Sequence, residues 1–389
     1  MRLLHVISTL DPAAGGPVAG LRGLIDAGRE IGVESEIVTM DAPSRPGLDA
    51  FAAPVAALAQ SPQGFAYAPR LAAWLRVHQA RFDAAVVHGL WQHQGIVVRR
   101  VLRQSRRPYF VFPHGMLDPW FKQSHRAKHL KKQLFWYLWQ YRVLRDADAV
   151  LFTCEEEERL ARTSFHPYAV RGRVVGFGAS GPAADGDPRS RLEAAFAELR
   201  GKRVLLFLGR IHPKKGCDLL LEAFAGVAQS DPALQLVFAG PDQIGWGAQL
   251  RARARQLGVD GRVSWPGMLE GELKWAALRS AEAFVLPSHQ ENFGVAVAEA
   301  LACATPVLLS DKVNIWREIV DEGAGLVADD TAAGTLTSLR AWLALEPAQR
   351  DAMRAAALHC HTRHFRFDAV AARLAAVVRE SLRSRHGTD

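Results

Sequence analysis

With 389 residues, of which 49% are hydrophobic and 23% charged, the chain is long enough for two domains with separate cores, and its composition excludes wholesale disorder. Its four cysteines are scattered and form no C-x-x-C pair, which argues against a disulfide framework or a zinc site and favours free thiols in a reducing compartment. The net charge of +8 is concentrated, because residues 99–145 hold twelve Lys and Arg but one acid, Asp118. This predicts a local basic surface.

The N-terminal segment predicts a strand, a glycine turn and a helix. Residues 1–8 form a short apolar run that is typical of a first strand and not of a signal peptide, and no run of about 18 apolar residues occurs anywhere. Gly15 and Gly16 form the turn, a helix is predicted over residues 18–31, and a second strand over residues 34–40. This β-α-β start is Rossmann-like, but it lacks the G-x-G-x-x-G spacing of a nicotinamide site.

Two further predicted strands end in histidines. Residues 84–88 lead into G-L-W-Q-H-Q-G, and residues 109–112 lead into Pro113-His114-Gly115. Since the carboxyl ends of parallel strands face the ligand crevice of an open α/β sheet, side chains there are candidates for ligand binding. The candidates after the first of these strands are His88, Trp91, His93 and Gln94. The two histidines have no acid nearby, so we expect no metal site, and simple packing is the alternative role for each residue.

A long helix is predicted over residues 121–145 by apolar residues at a 3.6-residue period. The stripe expected to face the core comprises Leu130, Leu134, Tyr137, Leu138, Tyr141 and Leu144. The opposite face interleaves cations with aromatic rings, which suits an anionic membrane surface, and comprises Lys128, Lys131, Lys132, Phe135, Trp139 and Arg142. A solvated basic face with aromatics packed under a loop is the alternative. No nucleic acid is expected, since no DNA- or RNA-binding signature accompanies the patch.

In the second half, a strand over residues 203–208 ends in G-R-I-H-P-K-K-G. Arg210 and Lys215 flank this turn, where two cations would neutralise a pyrophosphate; Lys214 is less suited to that role. The turn is not a Walker A loop, because Gly216-Cys217 replaces the Lys-Ser/Thr end.

The sequence around residues 283–302 predicts an anion site. A buried strand breaks at Pro287-Ser288 and a helix begins near Val295, so free N–H groups and the helix dipole favour an anion beside Asn292, Phe293, Gly294 and Val295. Glu291 and Glu299 would lie roughly 12 Å apart along a helix, and carboxylates accept hydrogen bonds from hydroxyls. This spacing suits an elongated ligand such as a nucleotide-sugar. Two ordinary surface glutamates are the alternative.

The segment E-N-F-G-x4-E, with A-L-A-C-A-T-P-V-L-L-S-D after it, resembles the E-x7-E signature of retaining glycosyltransferase family 4. The turn G-R-x4-K-G is similar to that family's phosphate-binding motif. The resemblance, which covers nearly the whole chain, implies an α/β protein of the GT-B fold with two Rossmann-like domains facing each other across a cleft. It implies an acceptor-side domain at 1–180, a nucleotide-sugar-binding domain at 192–365, and a C-terminal helix, 366–389, crossing back to the first domain. The family usually has Gly at the position of Ala304, where a helix end often needs a positive φ.

The resemblance also implies residue roles. Glu291 would contact hydroxyls of the donor sugar, Glu299 the ribose, and Arg210 with Lys215 the donor phosphates. In the first domain, Gly15 and Gly16 would approach the phosphates, and His114 would contact the donor sugar while Gly115 permits a close approach. The acceptor would lie against His88, Trp91, His93 and Gln94.

These roles predict a retaining, metal-independent glycosyltransferase with no cofactor, which moves a hexose from a nucleotide-diphosphate sugar to a saccharide acceptor. Similarity to bacterial exopolysaccharide and lipopolysaccharide transferases implies a polyprenyl-linked acceptor and a peripheral cytoplasmic location on the inner face of the plasma membrane. The alternatives are another GT-B enzyme, such as an epimerase or phosphorylase, and a non-catalytic lipid- or partner-binding protein. The sugar, the nucleotide and the linkage stay open.

Overall fold

The computed structural model describes residues 1–58, 64–120, 122, 126–182 and 186–386. These residues form two compact α/β units. Unit 1 comprises Met1–Gly178 and Arg366–Asp389, and unit 2 comprises Ala179–Phe365. Each unit contains one parallel sheet.

The sheet of unit 1 has seven strands in the order β3-β2-β1-β4-β5-β6-β7. They are β1 (Arg2–Ile7), β2 (Glu34–Thr39), β3 (Val55–Ala57), β4 (Ala84–His88), β5 (Tyr109–Phe112), β6 (Ala149–Phe152) and β7 (Gly172–Val174). The strand order reverses between β1 and β4, and in open α/β sheets ligands bind beyond the carboxyl ends of the strands at such a point. His88 ends β4, and the loop that holds His114 follows β5 directly.

The helices of the first part of unit 1 follow the predicted alternation with strands. They are α1 (Gly16–Glu30), α2 (Arg70–His78), α3 (His93–Gln104), α4 (Arg126–Phe135), α5 (Tyr141–Arg145) and α6 (Glu155–Ala161). A π-helical turn, Trp136–Gln140, joins α4 to α5. The predicted beginning of this helix at residue 121 lies outside the described residues.

The predicted core stripe of this helix is wrong over α4. Leu130, Leu134 and Tyr137 are 71%, 61% and 63% exposed, and Leu138 is also exposed. Trp136 is fully buried instead, and its indole N–H donates to the carbonyl of Pro167 at 2.8 Å. The buried indole sets which side of α4 faces inward, and the π turn then interrupts the 3.6-residue period on which the predicted stripe depends. Beyond the turn, Leu144 is buried as predicted.

The basic surface of residues 99–145 has fewer unpaired cations than the twelve Lys and Arg of that segment would suggest. Arg99, Arg103 and Arg145 all pair with Asp146, which lies just beyond the counted segment. These three cations are therefore engaged within unit 1, while Lys128 and Lys131 on α4 are exposed.

The sheet of unit 2 has six strands in the order β10-β9-β8-β11-β12-β13. They are β8 (Arg203–Leu208), β9 (Leu234–Ala239), β10 (Val263–Gly267), β11 (Ala283–Leu286), β12 (Val307–Ser310) and β13 (Gly325–Ala328). Here the order reverses between β8 and β11. The loops after these two strands therefore lie where open α/β sheets bind ligands.

The remaining helices are α7 (Pro188–Ala195), α8 (Cys217–Ala225), α9 (Gly247–Gln256), α10 (Gly271–Ser280), α11 (Val295–Ala302), α12 (Trp316–Asp321), α13 (Ala332–Ala344), α14 (Pro347–Cys360) and α15 (Phe367–His386). Helix α15 belongs to unit 1, where it packs against α1 and where Arg385 pairs with Asp148 at 2.7 Å. Just after α11, Ala304 has a φ of +54°. The left-handed geometry that usually selects glycine is thus present here with alanine.

Candidate active site

Two loops of unit 2 are tied together at the switch point of its sheet. The Ser288 hydroxyl, in the loop after β11, donates to the Lys214 carbonyl in the loop after β8, at 2.9 Å. The His289 N–H donates to the same carbonyl, also at 2.9 Å. Ser288 is fully buried, and the Ser310 hydroxyl donates to its carbonyl at 2.5 Å. The two loops are therefore held in one fixed arrangement.

Gly216 makes this close approach possible. Its φ is +67°, and a Cβ built on it would lie 2.1 Å from the carbonyl oxygen of Pro287. Any other residue would collide with the backbone of the second loop. The glycine that ends the G-R-I-H-P-K-K-G segment is thus required by packing as well as by its turn.

The loops bring the two main predicted residues into contact. The Lys215 ammonium pairs with the Glu291 carboxylate, and the two side chains are 17% and 19% exposed. The Glu291 backbone is fixed on both sides, because its N–H donates to Lys312 and its carbonyl accepts from Asn314. A cation and an acid are therefore placed together, and both keep access to solvent.

Helix α11 begins directly after this pair. Gly294 is the N-cap of the helix, with a φ of +75°, and as a glycine it provides no side-chain cap. The first N–H groups of an uncapped helix and its dipole attract an anion. Val295 is half-buried, whereas the Phe293 ring is buried against Phe365, so Phe293 has only backbone to offer a ligand. Asn292 accepts from the buried Asn314 amide at 3.4 Å.

Arg210 differs from Lys215 in having no partner. Its side chain is exposed and makes no hydrogen bond or ion pair with any part of the chain that the structure describes. Burial and the charges of Arg210, Lys214 and Lys215 lower the pKa of His212, which lies between them in sequence. The loop after β8 is therefore a cationic segment with a neutral imidazole.

The second glutamate of the motif has a partner that the sequence did not reveal. Lys274, on α10, pairs with Glu299 at 2.8 Å, and its ammonium lies over the Trp275 ring at 4.1 Å. No spacing rule links these residues, since their helices meet only through packing. Lys274 therefore extends the group of polar residues around α11.

In unit 1, a buried carboxylate shapes the loop after β5. The Gly115 N–H donates to Glu157 at 2.6 Å, and the other carboxylate oxygen accepts from the backbone and hydroxyl of Thr153. His114 has a φ of +51° and is half-buried, with its ring stacked on Phe112 at 4.4 Å. Glu157, in a run of four glutamates, was not singled out from the sequence because nothing distinguishes it from its neighbours there.

The four predicted acceptor residues do not form one exposed set. The His88 ring is buried between other histidines, and the Gln94 amide is fully buried and donates to the His88 carbonyl at 3.2 Å. Both side chains are therefore buried within unit 1, where Gln94 holds the loop, and their contact with an acceptor stays a prediction. Trp91 and His93 are half-buried and keep partial exposure.

The remaining predicted donor residues open helix α1. Gly15 precedes the helix with a φ of +80° and is exposed, and Gly16 is its first residue. No side chain within the described chain caps this helix. Within residues 1–58, 64–120, 122, 126–182 and 186–386, no group of three His, Cys, Asp or Glu residues is arranged to hold a metal ion. Nor is any helix of these residues long and apolar enough to cross a bilayer.

Solved structures with the same fold define the class of protein. Sucrose-phosphate synthase from Thermosynechococcus elongatus superposes with a TM-score of 0.75 at 21% identity, covering 99% of this chain and 100% of that one. Anabaena HepE in complex with UDP gives a TM-score of 0.76 at 16% identity, covering 98% and 100%. The two parallel-sheet Rossmann-like units are therefore those of the GT-B fold, which confirms the predicted fold class.

Two family models match the chain, one in each unit. The model described as glycosyl transferases group 1 matches residues 189–359, and the one described as glycosyl transferase 4-like domain matches residues 15–178. Each half of the chain therefore matches a model of glycosyl transferases.

A curated relative matches part of the chain. The D-inositol 3-phosphate glycosyltransferase of Segniliparus rotundus is 34% identical over 197 residues, which are 49% of this chain and 43% of that protein. The chain thus spans less than half the length of this relative and of two others of the same name.

Proposed function

We propose that this protein is a retaining glycosyltransferase that moves a hexose from a nucleotide-diphosphate sugar to a saccharide acceptor. The observation that carries the proposal is the contact of Lys215 with Glu291 beside the uncapped start of α11. A cation, an acid and free helix N–H groups in one place match a ligand with an anionic diphosphate and a neighbouring hydroxylated ring.

The donor would be held by distinct groups along its length. Arg210 and Lys215 would bind the diphosphate together with the N–H groups near Gly294. Lys215 would then exchange its contact with Glu291 for phosphate oxygens, leaving the Glu291 carboxylate to accept hydrogen bonds from sugar hydroxyls. Glu299, oriented by Lys274, would accept from the ribose hydroxyls.

In the proposed reaction, the bond between the acceptor oxygen and the anomeric carbon forms as the bond from that carbon to the phosphate oxygen breaks. Attack and departure occur on the same face of the sugar, so its configuration is retained. The acceptor's hydroxyl proton passes to the departing diphosphate. Arg210 and Lys215 would stabilise the negative charge that develops on this leaving group.

The donor and the reaction can be tested together. A nucleotide-sugar present at about 100 times its Kd should stabilise the folded protein by roughly 2.7 kcal/mol, so a thermal-shift panel of UDP-, GDP- and ADP-sugars should identify one nucleotide. NMR of the product formed from that donor should then show a glycoside with the donor's anomeric configuration. An epimerised nucleotide-sugar would indicate the epimerase alternative, and the absence of stabilisation by any donor would favour a non-catalytic protein.

For the acceptor, we propose a lipid-linked saccharide in cell-surface polysaccharide synthesis. The support is a set of exposed residues that we call the outer face of α4. It comprises Lys128, Leu130, Lys131 and Leu134 on α4, with Tyr137 in the π turn that follows. Of the six residues of the predicted membrane face, only Lys128 and Lys131 belong to it. Trp139 and Arg142 are exposed but lie beyond α4. Lys132 lies over the Trp91 ring at 4.9 Å, and Phe135 packs edge-on against Phe65.

A phosphorylated cyclitol is the second candidate acceptor, and the names of the curated relatives favour it. Such an acceptor is water-soluble and would need no membrane contact. Product formation with D-inositol 3-phosphate against a polyprenyl-linked saccharide distinguishes the two candidates directly.

The outer face of α4 suits an anionic bilayer at the inner face of the plasma membrane. Fully burying one Leu contributes about 1.5–3 kcal/mol, and each cation near an anionic surface contributes about 1 kcal/mol. The exposed apolar side chains are thus the larger contribution, and the lysines add a preference for anionic lipid.

We expect the double substitution Leu130→Ser, Leu134→Ser to remove most sedimentation with vesicles that contain anionic lipid. Lys128→Glu, Lys131→Glu should weaken it less and remove the preference over neutral vesicles. The matched control is Leu358→Ser, which changes an exposed leucine of unit 2. Sedimentation that is unchanged by both double substitutions would show that this face does not bind membrane.

A further inference from the structure

Three histidines form a continuous hydrogen-bonded chain across the middle of the unit 1 sheet. Nδ1 of His5, on β1, lies 3.0 Å from Nε2 of His88, the last residue of β4. Nδ1 of His88 lies 3.0 Å from Nε2 of His114, in the loop after β5. The His5 and His88 rings are buried, whereas His114 is half-buried. The chain therefore leads from the interior of the sheet to a residue at its ligand-binding edge.

Among the described residues, the inner end of this row of histidines has one polar neighbour. Nε2 of His5 lies 3.4 Å from the hydroxyl of Ser35 on β2. The small cavity beside these two residues is otherwise lined by aliphatic residues and Gly28. At the outer end, the His114 ring lies against Phe112 and Phe177. No carboxylate touches any of the three rings among the described residues.

These surroundings keep the three rings neutral. Burial lowers the pKa of His5 to about 4 and that of His114 to about 3. The pKa of His88 is also well below its usual value, first through burial and then through the charges of His114 and His5. At neutral pH each ring therefore carries one proton, on either Nδ1 or Nε2.

A neutral imidazole has one donor nitrogen and one acceptor nitrogen, and this couples the three rings. If His5 carries its proton on Nδ1, it donates to Nε2 of His88; His88 must then be protonated on Nδ1 and donate to Nε2 of His114. His114 in turn must carry its proton on Nδ1. If His5 is protonated on Nε2, the same reasoning places all three protons on Nε2. Any mixed arrangement breaks a hydrogen bond or opposes two donors inside the protein.

We propose that His5 is a positioning residue that sets the tautomer of His114 through His88. Nδ1 of His114 is the ring nitrogen that does not contact His88. The tautomer decides whether this nitrogen is a hydrogen-bond donor or an acceptor. A ligand hydroxyl that donates to Nδ1 selects the arrangement with all three protons on Nε2. A ligand oxygen that accepts from Nδ1 selects the arrangement with all three protons on Nδ1. This inference rests on the proposed function where it takes that ligand to be the donor sugar.

Two substitutions at His5 should drive the chain in opposite directions. His5→Leu leaves no acceptor for an Nε2–H of His88, so it favours protons on Nδ1 of His88 and His114. His5→Asp offers a carboxylate to that N–H, so it favours protons on Nε2. The wild-type protein holds one of these two proton arrangements. One of the two variants must therefore change the tautomer of His114.

The test is 15N NMR of the full chain labelled at histidine, because the ring nitrogen shifts report the tautomer directly. We expect His5, His88 and His114 to show the same tautomer in the wild-type protein and one His5 variant to invert His114. His78→Leu and His78→Asp are the matched controls. His78 also lies in unit 1, but it bonds to the Trp74 carbonyl and to none of the three histidines. Both substitutions should leave the tautomer of His114 unchanged. Different tautomers among the three wild-type rings would overturn the inference even if His5→Asp failed to fold.

A second measurement separates this inference from the proposed function. The inverting variant should lower kcat/KM for sugar transfer at least 10-fold, while thermal stabilisation by the nucleoside diphosphate alone stays unchanged. If a His5 variant changes the tautomer of His114 but not kcat/KM, the proposed contact of His114 with the sugar is wrong. The coupling between the three rings would still hold. A His114 tautomer that neither His5 variant changes would overturn the coupling itself.

Discussion

Replacing Arg210 with alanine is expected to lower kcat/KM for sugar transfer about 100- to 1,000-fold, the usual effect of removing one preorganised group that stabilises transition-state charge. The protein should keep its full stability, because the Arg210 side chain is exposed and unpaired within the described chain. Steady-state kinetics with the identified donor, together with thermal unfolding, measure both effects. The control is Arg255→Ala, which removes the same charge from an exposed position on α9.

The paired residues should behave differently from Arg210. Lys215→Ala and Glu291→Ala are each expected to abolish transfer, and each leaves its former partner without an ion pair. Because the two side chains are in contact, the effects of the two substitutions on stability should not be additive in the double variant. Full turnover in Arg210→Ala, Lys215→Ala and Glu291→Ala would contradict the roles assigned to these residues.

Gly216→Ala is expected to destabilise the protein by about 2–5 kcal/mol, the sum of left-handed strain and overpacking, and to abolish donor binding. An alanine here would have to adopt a left-handed φ, and its Cβ would also collide with the Pro287 carbonyl, so the loops after β8 and β11 must separate. That separation would break the hydrogen bonds from Ser288 and His289 to Lys214 and move Lys215 away from Glu291. Thermal unfolding and donor-induced stabilisation report the two effects.

Gly201 provides a matched control for this prediction. Its φ is also +67°, but a Cβ built on it meets no atom within 4 Å. Gly201→Ala should therefore cost only the left-handed backbone strain, about 1–2 kcal/mol, and leave donor binding intact. Equal losses of stability in the two variants would show that backbone conformation, and not the contact between the loops, makes Gly216 necessary.

The strand and helix pattern that carries these sites could be predicted because its signals are local. Apolar runs that end at Gly209 and Pro287 mark buried strands, and the helices that follow begin within a few residues. In a parallel sheet, such loops lie at the carboxyl ends of their strands. The sequence alone therefore places the cationic and the acidic loop of unit 2 each at the end of a strand, and the pairing of β8 with β11 brings them to one edge of the sheet.

The long helix of unit 1 shows where local signals fail. Leucines at a 3.6-residue spacing predict a core stripe, yet Leu130 and Leu134 are exposed. The burial of Trp136, whose N–H bonds to Pro167, and the π turn after it decide which side faces inward. The sequence pattern does not contain this information, because a partner 31 positions away provides the hydrogen bond.

The sequence by itself determined the α/β class, the strand-end loops, the presence of Arg210, Lys215 and Glu291 in those loops, and the place of Glu299 in the helix that follows. Tertiary structure alone decided that Lys215 pairs with Glu291, that Lys274 pairs with Glu299, and that His5, His88 and His114 share one line of hydrogen bonds. The physical reason is separation along the chain. Periodicity and turn chemistry act over a few residues, whereas these contacts join residues 25 to 83 positions apart, which only the packing of strands and helices brings together.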